Sequence, residues 1–583
     1  MTARCALLIR NGTVVDGSGA DPFVADVAIC NDRVVAVGPY AGEADRVIDA
    51  TGMIVTPGFV DIHTHYDGQA IWSEELSPSS SHGVTTVVTG NCGVGFAPCR
   101  PADHDLLIRV MEGVEDIPGV VMAEGLDWDW ETFPQYLDAL AARPRDIDVG
   151  AYLPHSPLRV YVMGQRGADR EPATADDLAR MRTLTREAME VGALGTASSR
   201  MMYHRTKAGD QIPSYQAADA ELQALADGMT DAGSGIIQLV LNAPMESWDN
   251  ELDHLIGVAE RSGRPATFTL GTSNNGPPTW EQAMARVTAA NEAGAYIRAQ
   301  VLPRPVGLIM GFELSTNPFC ACASWPAIEL LPFAERIARL RDPAIRAALT
   351  SEEPDPRNLF AMNARRWEWI FPLGDPPNYE PARAESIAAR AAASGQAPED
   401  IAYDLMLERG GHAMLYNALG NFHDNRLDAI HDLMSDPGTV VGLGDGGAHY
   451  GAICDASYPT FLLRYWTRDR AGARLSLAQA VRILARDPAE MVGMNDRGLL
   501  RPGYKADINV IDIDNLTLHA PQVRYDLPGG GRRIDQSATG FVATIVSGEI
   551  IRRHDRPTGA RPGRVVRGAQ EGPRLPEAVA ATT

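Results

Sequence analysis

Lysine is almost missing from this chain of 583 residues: Lys207 and Lys505 are the only two. Arginine carries the positive charge instead, so a carboxylated lysine bridging two metals has almost no candidate. Cysteine is scarce as well. The seven are Cys5, Cys30, Cys92, Cys99, Cys320, Cys322 and Cys454, odd in number and without zinc-ribbon spacing. No apolar run approaches the roughly 20 residues that a membrane span needs. The opening Met1-Thr-Ala-Arg-Cys5-Ala-Leu-Leu-Ile-Arg10 reads as a strand and turn rather than a secretory leader. Together these predict a reducing, cytoplasmic setting. Acidic residues outnumber basic ones, 75 to 52, and the net charge of −23 argues against nucleic acid or an anionic membrane as partner.

Histidine is also sparse, 13 in all, which makes the pairing in Gly58-Phe-Val-Asp-Ile-His63-Thr-His65-Tyr-Asp-Gly68 informative. An apolar run from Met53 to Val60 reads as a buried strand that ends in these two histidines. Positions i and i+2 of a strand share a face, so His63 and His65 can present their imidazoles together. That suits a divalent metal at the mouth of a barrel.

The length exceeds what one hydrophobic core usually serves. The first 50 residues or so alternate short strands (Ala6 to Arg10, Thr13 to Val15, Ala25 to Ile29, Arg33 to Val37) with turns at Asn11-Gly12 and Asn31-Asp32. From about 54 to 445, apolar strands alternate with amphipathic helices. Strands are expected at 54–62, 84–90, 147–153, 191–197, 235–241, 265–270, 296–302 and 439–444, with helices such as 175–190, 217–232, 250–262 and 280–293 between them. Eight such units predict an α/β fold, a (β/α)₈ TIM-like barrel. The long stretch 303–438 before the eighth strand reads as an insertion or lid. After a helix at 476–492, further strand signals complete a small β-sandwich built from both chain termini. The expected domains are therefore 1–55 plus 497–567 for the sandwich, and 56–496 for the barrel. Residues 568–583 read as a disordered tail.

Two further clusters fall at strand ends. Thr89-Gly-Asn-Cys92-Gly-Val-Gly95 puts a cysteine in a glycine-rich loop on the barrel's active face, where a thiolate could bind zinc. A buried, inert cysteine is the alternative. Val440-Val-Gly-Leu-Gly-Asp445-Gly-Gly-Ala-His449 ends the eighth strand on an aspartate. Asp445 is the candidate general base and acid, taking a proton from metal-activated water and passing it to a leaving group; an Asp-Gly turn is the plainer reading.

These motifs carry a resemblance. Ile9-Arg-Asn-Gly-Thr-Val-Val-Asp-Gly17 followed by Pro57-Gly-Phe-Val-Asp-Ile-His-Thr-His65 resembles the amidohydrolase superfamily. Gly83-Val-Thr-Thr-Val-Val-Thr-Gly-Asn-Cys-Gly93, Gly192-Ala-Leu-Gly195, Gly444-Asp-Gly-Gly-Ala-His449 and Arg497-Gly-Leu-Leu-Arg-Pro-Gly-Tyr-Lys-Ala-Asp507 narrow it to the D-aminoacylase, or N-acyl-D-amino-acid deacylase, branch. The resemblance covers about residues 5–567. It implies a metal-dependent hydrolase of carbon–nitrogen bonds other than peptide bonds, with His63, His65, Cys92 and Asp445 holding one or two Zn2+ ions.

The chain departs from the branch in three places. Gln238 stands on strand five and Thr267-Phe-Thr-Leu-Gly-Thr272 on strand six, where histidines are expected, and no lysine follows strand six to meet a substrate carboxylate. One metal is then the simpler expectation, with a second left open. His204 and His449 could compensate, or be polar surface or hydrogen-bonding partners of the ligands. Arg200 and Arg205, after strand four, could take a carboxylate, or pair with the chain's many acids. His155 is expected to support the site indirectly. Trp325, Trp367 and Trp369 in the insertion could line an apolar acyl pocket. The expected substrate is a small-molecule N-acyl-D-amino acid or related amide. Alternatives are a cyclic or larger natural amide, or a barrel that has lost catalysis. A homo-oligomer is compatible with the sequence.

Overall fold

A computed structural model describes residues 4–242, 248–274, 280–356 and 363–574. Eight parallel strands form the barrel: β1 (Phe59–Asp61), β2 (Val84–Thr89), β3 (Asp148–Pro154), β4 (Gly195–Ser199), β5 (Ile236–Val240), β6 (Ala266–Thr269), β7 (Ile297–Val301) and β8 (Thr439–Val441). They pair in chain order from β1 to β8. Their residues are almost all buried, as expected of strands covered on both faces. The last joint, between β8 and β1, is made just past the strand ends. There the Asp445 N–H donates to the His63 carbonyl at 3.1 Å, and the His65 N–H to the Gly446 carbonyl at 2.8 Å.

Helices run between the strands. Ala175–Glu190 starts on a capping box of Thr174 and Asp177, and Leu477–Met491 on one of Ser476 and Gln479. In each, reciprocal side-chain bonds satisfy otherwise orphaned main-chain donors.

Two strand expectations need correction. The run 54–62 is two strands: Ile54–Pro57 joins an outer sheet and Phe59–Asp61 begins the barrel. They divide at Gly58, whose N–H donates to the Asp507 carbonyl and where a Cβ would lie 2.3 Å from Thr85 Oγ1. Asn11-Gly12 is not a turn. It is a bulge inside one strand, Cys5–Val14, with Asn11 at φ +59°.

The outer sheet has nine strands and draws on both ends of the chain. Ile54–Pro57 lies between Cys5–Val14 and Ile508–Ile511, and Phe541–Val546 and Glu549–Arg553 extend it. Leu7, Ile9, Val27, Val510 and Ile545 are among the residues of its core. A buried charge cluster joins this sheet to the N-terminal end of the barrel. Arg497 and Lys505 meet Asp148 at 2.7 and 2.8 Å, and Lys505 also meets Asp507 at 2.8 Å. Residues 568–574 run along the surface, with Gln570 bonded to Gly493 and Arg574 to Gly503; 575–583 lie outside the described residues.

The insertion has its own three-stranded antiparallel sheet, Val306–Met310, Leu415–Gly420 and Ile370–Pro372, and its own core. Trp325, 2% exposed, belongs to that core and stacks near Phe312, so it does not line an acyl pocket. Among the described residues no helix is long and apolar enough to cross a membrane.

Candidate metal centre

His63 and His65 lie just beyond β1, at the C-terminal rim, with ring centroids 5.6 Å apart. Gln300 on β7 meets His63 Nδ1 at 2.6 Å through its Oε1. That contact makes Nδ1 the donor and leaves Nε2 as the free lone pair. Nε2 points at Cys92 Sγ, 3.3 Å away, and at Asp445 Oδ1, 3.5 Å away. Asp445 Oδ1 is also 3.7 Å from His65 Nε2. The donor atoms of His63, His65 and Cys92 all lie within 4.8 Å of one another.

Local chain conformation produces this convergence. Cys92 follows β2 in a single 3₁₀ turn with φ +56°, and Asp445 follows β8 with φ +46°. Both are left-handed conformations that a side chain rarely adopts and that tend to cluster at functional sites. Gly444 lets the Asp445 loop press on β1, since a Cβ there would meet Asp61 Oδ2 at 1.9 Å. The Cys92 N–H donates to Gln238 Oε1 at 3.1 Å. The strand-five amide thus braces the cysteine loop.

Electrostatically the centre is one-sided. Burial pushes His63 down to about 4 and His65 well below its ordinary value, which keeps both imidazoles neutral and able to coordinate. Burial raises the Cys92 thiol, with Glu115, Asp445 and Asp67 adding to it. Glu115 is raised by burial, Asp445 and Asp67, and Asp445 by burial, Asp455 and Asp61. Among the described residues no arginine or lysine pairs with Glu115 or Asp445; their ion-pair partners are histidines. Two neutral imidazoles, a thiol that becomes a thiolate beside a cation, and surrounding carboxylates form a donor set that fits a divalent metal.

The remaining candidates divide. His449 is at the mouth, its Nε2 3.4 Å from Glu115 Oε2. His204 also faces the centre: its Nδ1 bonds Ser199 Oγ at 2.8 Å, and His449 and His63 add to burial in lowering it to about 3. Arg200 is committed elsewhere, to Glu251 at 2.9 Å and the Ala217 carbonyl at 2.7 Å. Arg205 holds the carbonyls of Met202 and Gly209. His155 joins Ser198 and Glu221 in a buried cluster with Arg159.

Sequence reading passed over Glu115 and Gln300. A lone amide near the C-terminal end of the strand Ile297-Arg-Ala-Gln-Val301 is a usable signal for Gln300. Glu115-Asp116 after a helix reads as ordinary acidic surface, and no pattern in the chain marks it otherwise.

A family model described as the amidohydrolase family matches residues 46–552. Over 299 residues the chain is 30% identical to a D-aminoacylase of Alcaligenes xylosoxydans xylosoxydans, a match spanning 51% of this chain and 58% of that protein. An N-acyl-D-aspartate deacylase of the same organism is 27% identical over 572 residues, 97% of this chain and 95% of the relative. The fold is similar to that of an N-acyl-D-glutamate deacylase from Bordetella bronchiseptica, solved with zinc and a phosphonate inhibitor. There the TM-score is 0.65 and the identity 22%, covering 97% of this chain and 100% of the other.

Proposed function

Because the chain belongs to the amidohydrolase family, in its D-aminoacylase-like branch, we propose that it cleaves the amide of an N-acyl-D-amino acid or a related amide. The reading rests on one observation above all: His63, His65, Cys92 and Asp445 converge at the rim of a barrel whose relatives include deacylases. Those four would hold a divalent ion, and their nitrogen and sulfur donors suit zinc. Such an ion, when bound, polarises a carbonyl and makes water more acidic.

The chain's own groups supply the rest. Gln300 fixes the His63 tautomer. Asp445 accepts the proton of the attacking water as its oxygen adds to the amide carbon. It then returns that proton to the nitrogen as the C–N bond breaks, so that a carboxylic acid and an amine form; the acid's remaining proton passes to the amine, and a carboxylate and an ammonium leave. The insertion braces the loop that follows Asp445. Its Ile309 and Ser315 N–H groups donate to the Ala452 and Gly451 carbonyls of that loop, at 2.7 and 3.0 Å.

Asp445→Asn tests the proton role. Turnover is expected to fall by about 10²–10⁴-fold while zinc content, measured by elemental analysis at saturating zinc, stays near that of the wild type, because His63, His65 and Cys92 remain and the amide keeps an oxygen donor. Undiminished turnover would remove Asp445 from the mechanism.

A second reading is favoured by Arg200 and Arg205, both engaged by protein groups, and by the lack of a lysine after strand six. In this reading the substrate is a neutral or cyclic amide with no free carboxylate to bind. Paired N-acetyl-D-amino acids and their carboxamides separate the two, the first reading requiring faster hydrolysis of the free acids.

A further inference from the structure

Glu115 stands outside the four-residue donor set, yet it touches the histidine at its centre. It follows the helix His104–Val114 and is 1% exposed. Its Oε1 lies 3.4 Å from His65 Nδ1, and neither atom has a hydrogen-bond partner among the described residues. Its Oε2 lies 3.4 Å from His449 Nε2, and its main-chain carbonyl accepts the His449 N–H. His449 therefore grips Glu115 at both side chain and backbone, with its own backbone at φ +50°.

Burying a carboxylate away from water is costly unless it is paired. Histidines that bind metals through one ring nitrogen usually give the other N–H to a carboxylate or carbonyl, which sets the tautomer and raises the ring's basicity. His63 has such a partner in Gln300. Among the described residues, the ion-pair partner of His65 Nδ1 is Glu115.

We propose that Glu115 is the positioning residue of His65: it accepts the Nδ1–H, so that Nε2 turns toward Asp445 and the metal position, and His449 braces it in that pose. The inference rests on the metal reading of His63, His65 and Cys92.

The test is a zinc titration of the metal-stripped full-length protein, competed with a chromophoric chelator, alongside its melting temperature without metal. Glu115→Ala is expected to weaken zinc binding by about 10–100-fold. Glu115→Gln, which keeps an acceptor oxygen, should lose only several-fold, and His449→Ala should shift affinity in the same direction by less than Glu115→Ala. The metal-free melting temperature of Glu115→Gln should equal or exceed that of the wild type, because the amide keeps the acceptor oxygen without the cost of burying an ionisable carboxyl. A merely structural glutamate gives the reverse pattern: a lower melting temperature with zinc affinity unchanged. That result, or wild-type affinity in Glu115→Ala, overturns the proposal. Should Glu115→Ala fail to fold, Glu115→Gln decides, and affinity within twofold of the wild type overturns it. His63→Ala serves as the control. If it loses zinc while the Glu115 variants do not, only the Glu115 role fails. If it retains wild-type affinity, the metal reading itself fails and this inference with it.

Discussion

At the N-terminal end of the barrel, buried Asp148 meets Lys505 at 2.8 Å and Arg497 at 2.7 Å. At the C-terminal end, the ion-pair partners of Glu115 and Asp445 among the described residues are histidines, at 3.4–3.7 Å. Burial alone would raise Asp148, but Lys505 and Arg497 outweigh it and hold the carboxyl at about 2. Nothing comparable acts on Glu115 or Asp445, and both are pushed up. One end is electrically complete and cements the outer sheet to the barrel. The other gathers acids and neutral imidazoles around a position where a positive charge would be strongly favoured. It is this asymmetry, more than any one motif, that separates a structural charge cluster from a reactive one.

Either end can be perturbed separately. The largest effect is expected at the structural end. Arg497→Met leaves Asp148 and Asp496 short of a partner and should cost about 3–5 kcal/mol in denaturant unfolding, with zinc content unchanged. A matching loss of zinc would mean that the two ends are not independent. Gln238→Ala acts at the other end. It strands the buried Cys92 N–H and should cost about 1–3 kcal/mol, with a measurable drop in zinc affinity. Stability lost with affinity intact would reduce Gln238 to a packing residue. The smallest effect is acid sensitivity. Asp148 has a folded value of about 2, below its ordinary 3.8. Its contribution is therefore fully present above about pH 4 and disappears as pH falls toward 2. At roughly 1.4 kcal/mol per pKa unit it amounts to about 2.5 kcal/mol at most. Replacing Asp148 with Asn should flatten that part of the stability curve.

The sequence made one end far more readable than the other. Strand alternation and the His-x-His pair were enough to expect the barrel and to place His63, His65, Cys92 and Asp445 on one rim, because strand periodicity and the C-terminal location of barrel sites are local rules. The helix Ala175–Glu190 lies at the expected residues, its start marked by a capping box. The split at Gly58 was hidden because both halves of the run 54–62 are apolar; what divides them is contact with Thr85 and Asp507, residues distant in the chain. Glu115 was hidden for a similar reason. Only the fold brings the end of the helix His104–Val114 against His65 and His449. Arg200 shows the converse: a guanidinium on the right face proves to be held by Glu251, which no spacing rule foretells.

The joint between β8 and β1 makes the site a fastener for the whole ring. Seven seams of the barrel are ordinary strand ladders, while the eighth is drawn shut by main-chain bonds at His63, His65, Asp445 and Gly446. Side chains that grip a common ligand across that seam would also clamp the cylinder closed. Occupancy would then feed directly into global stability, by RT ln(1 + [L]/Kd).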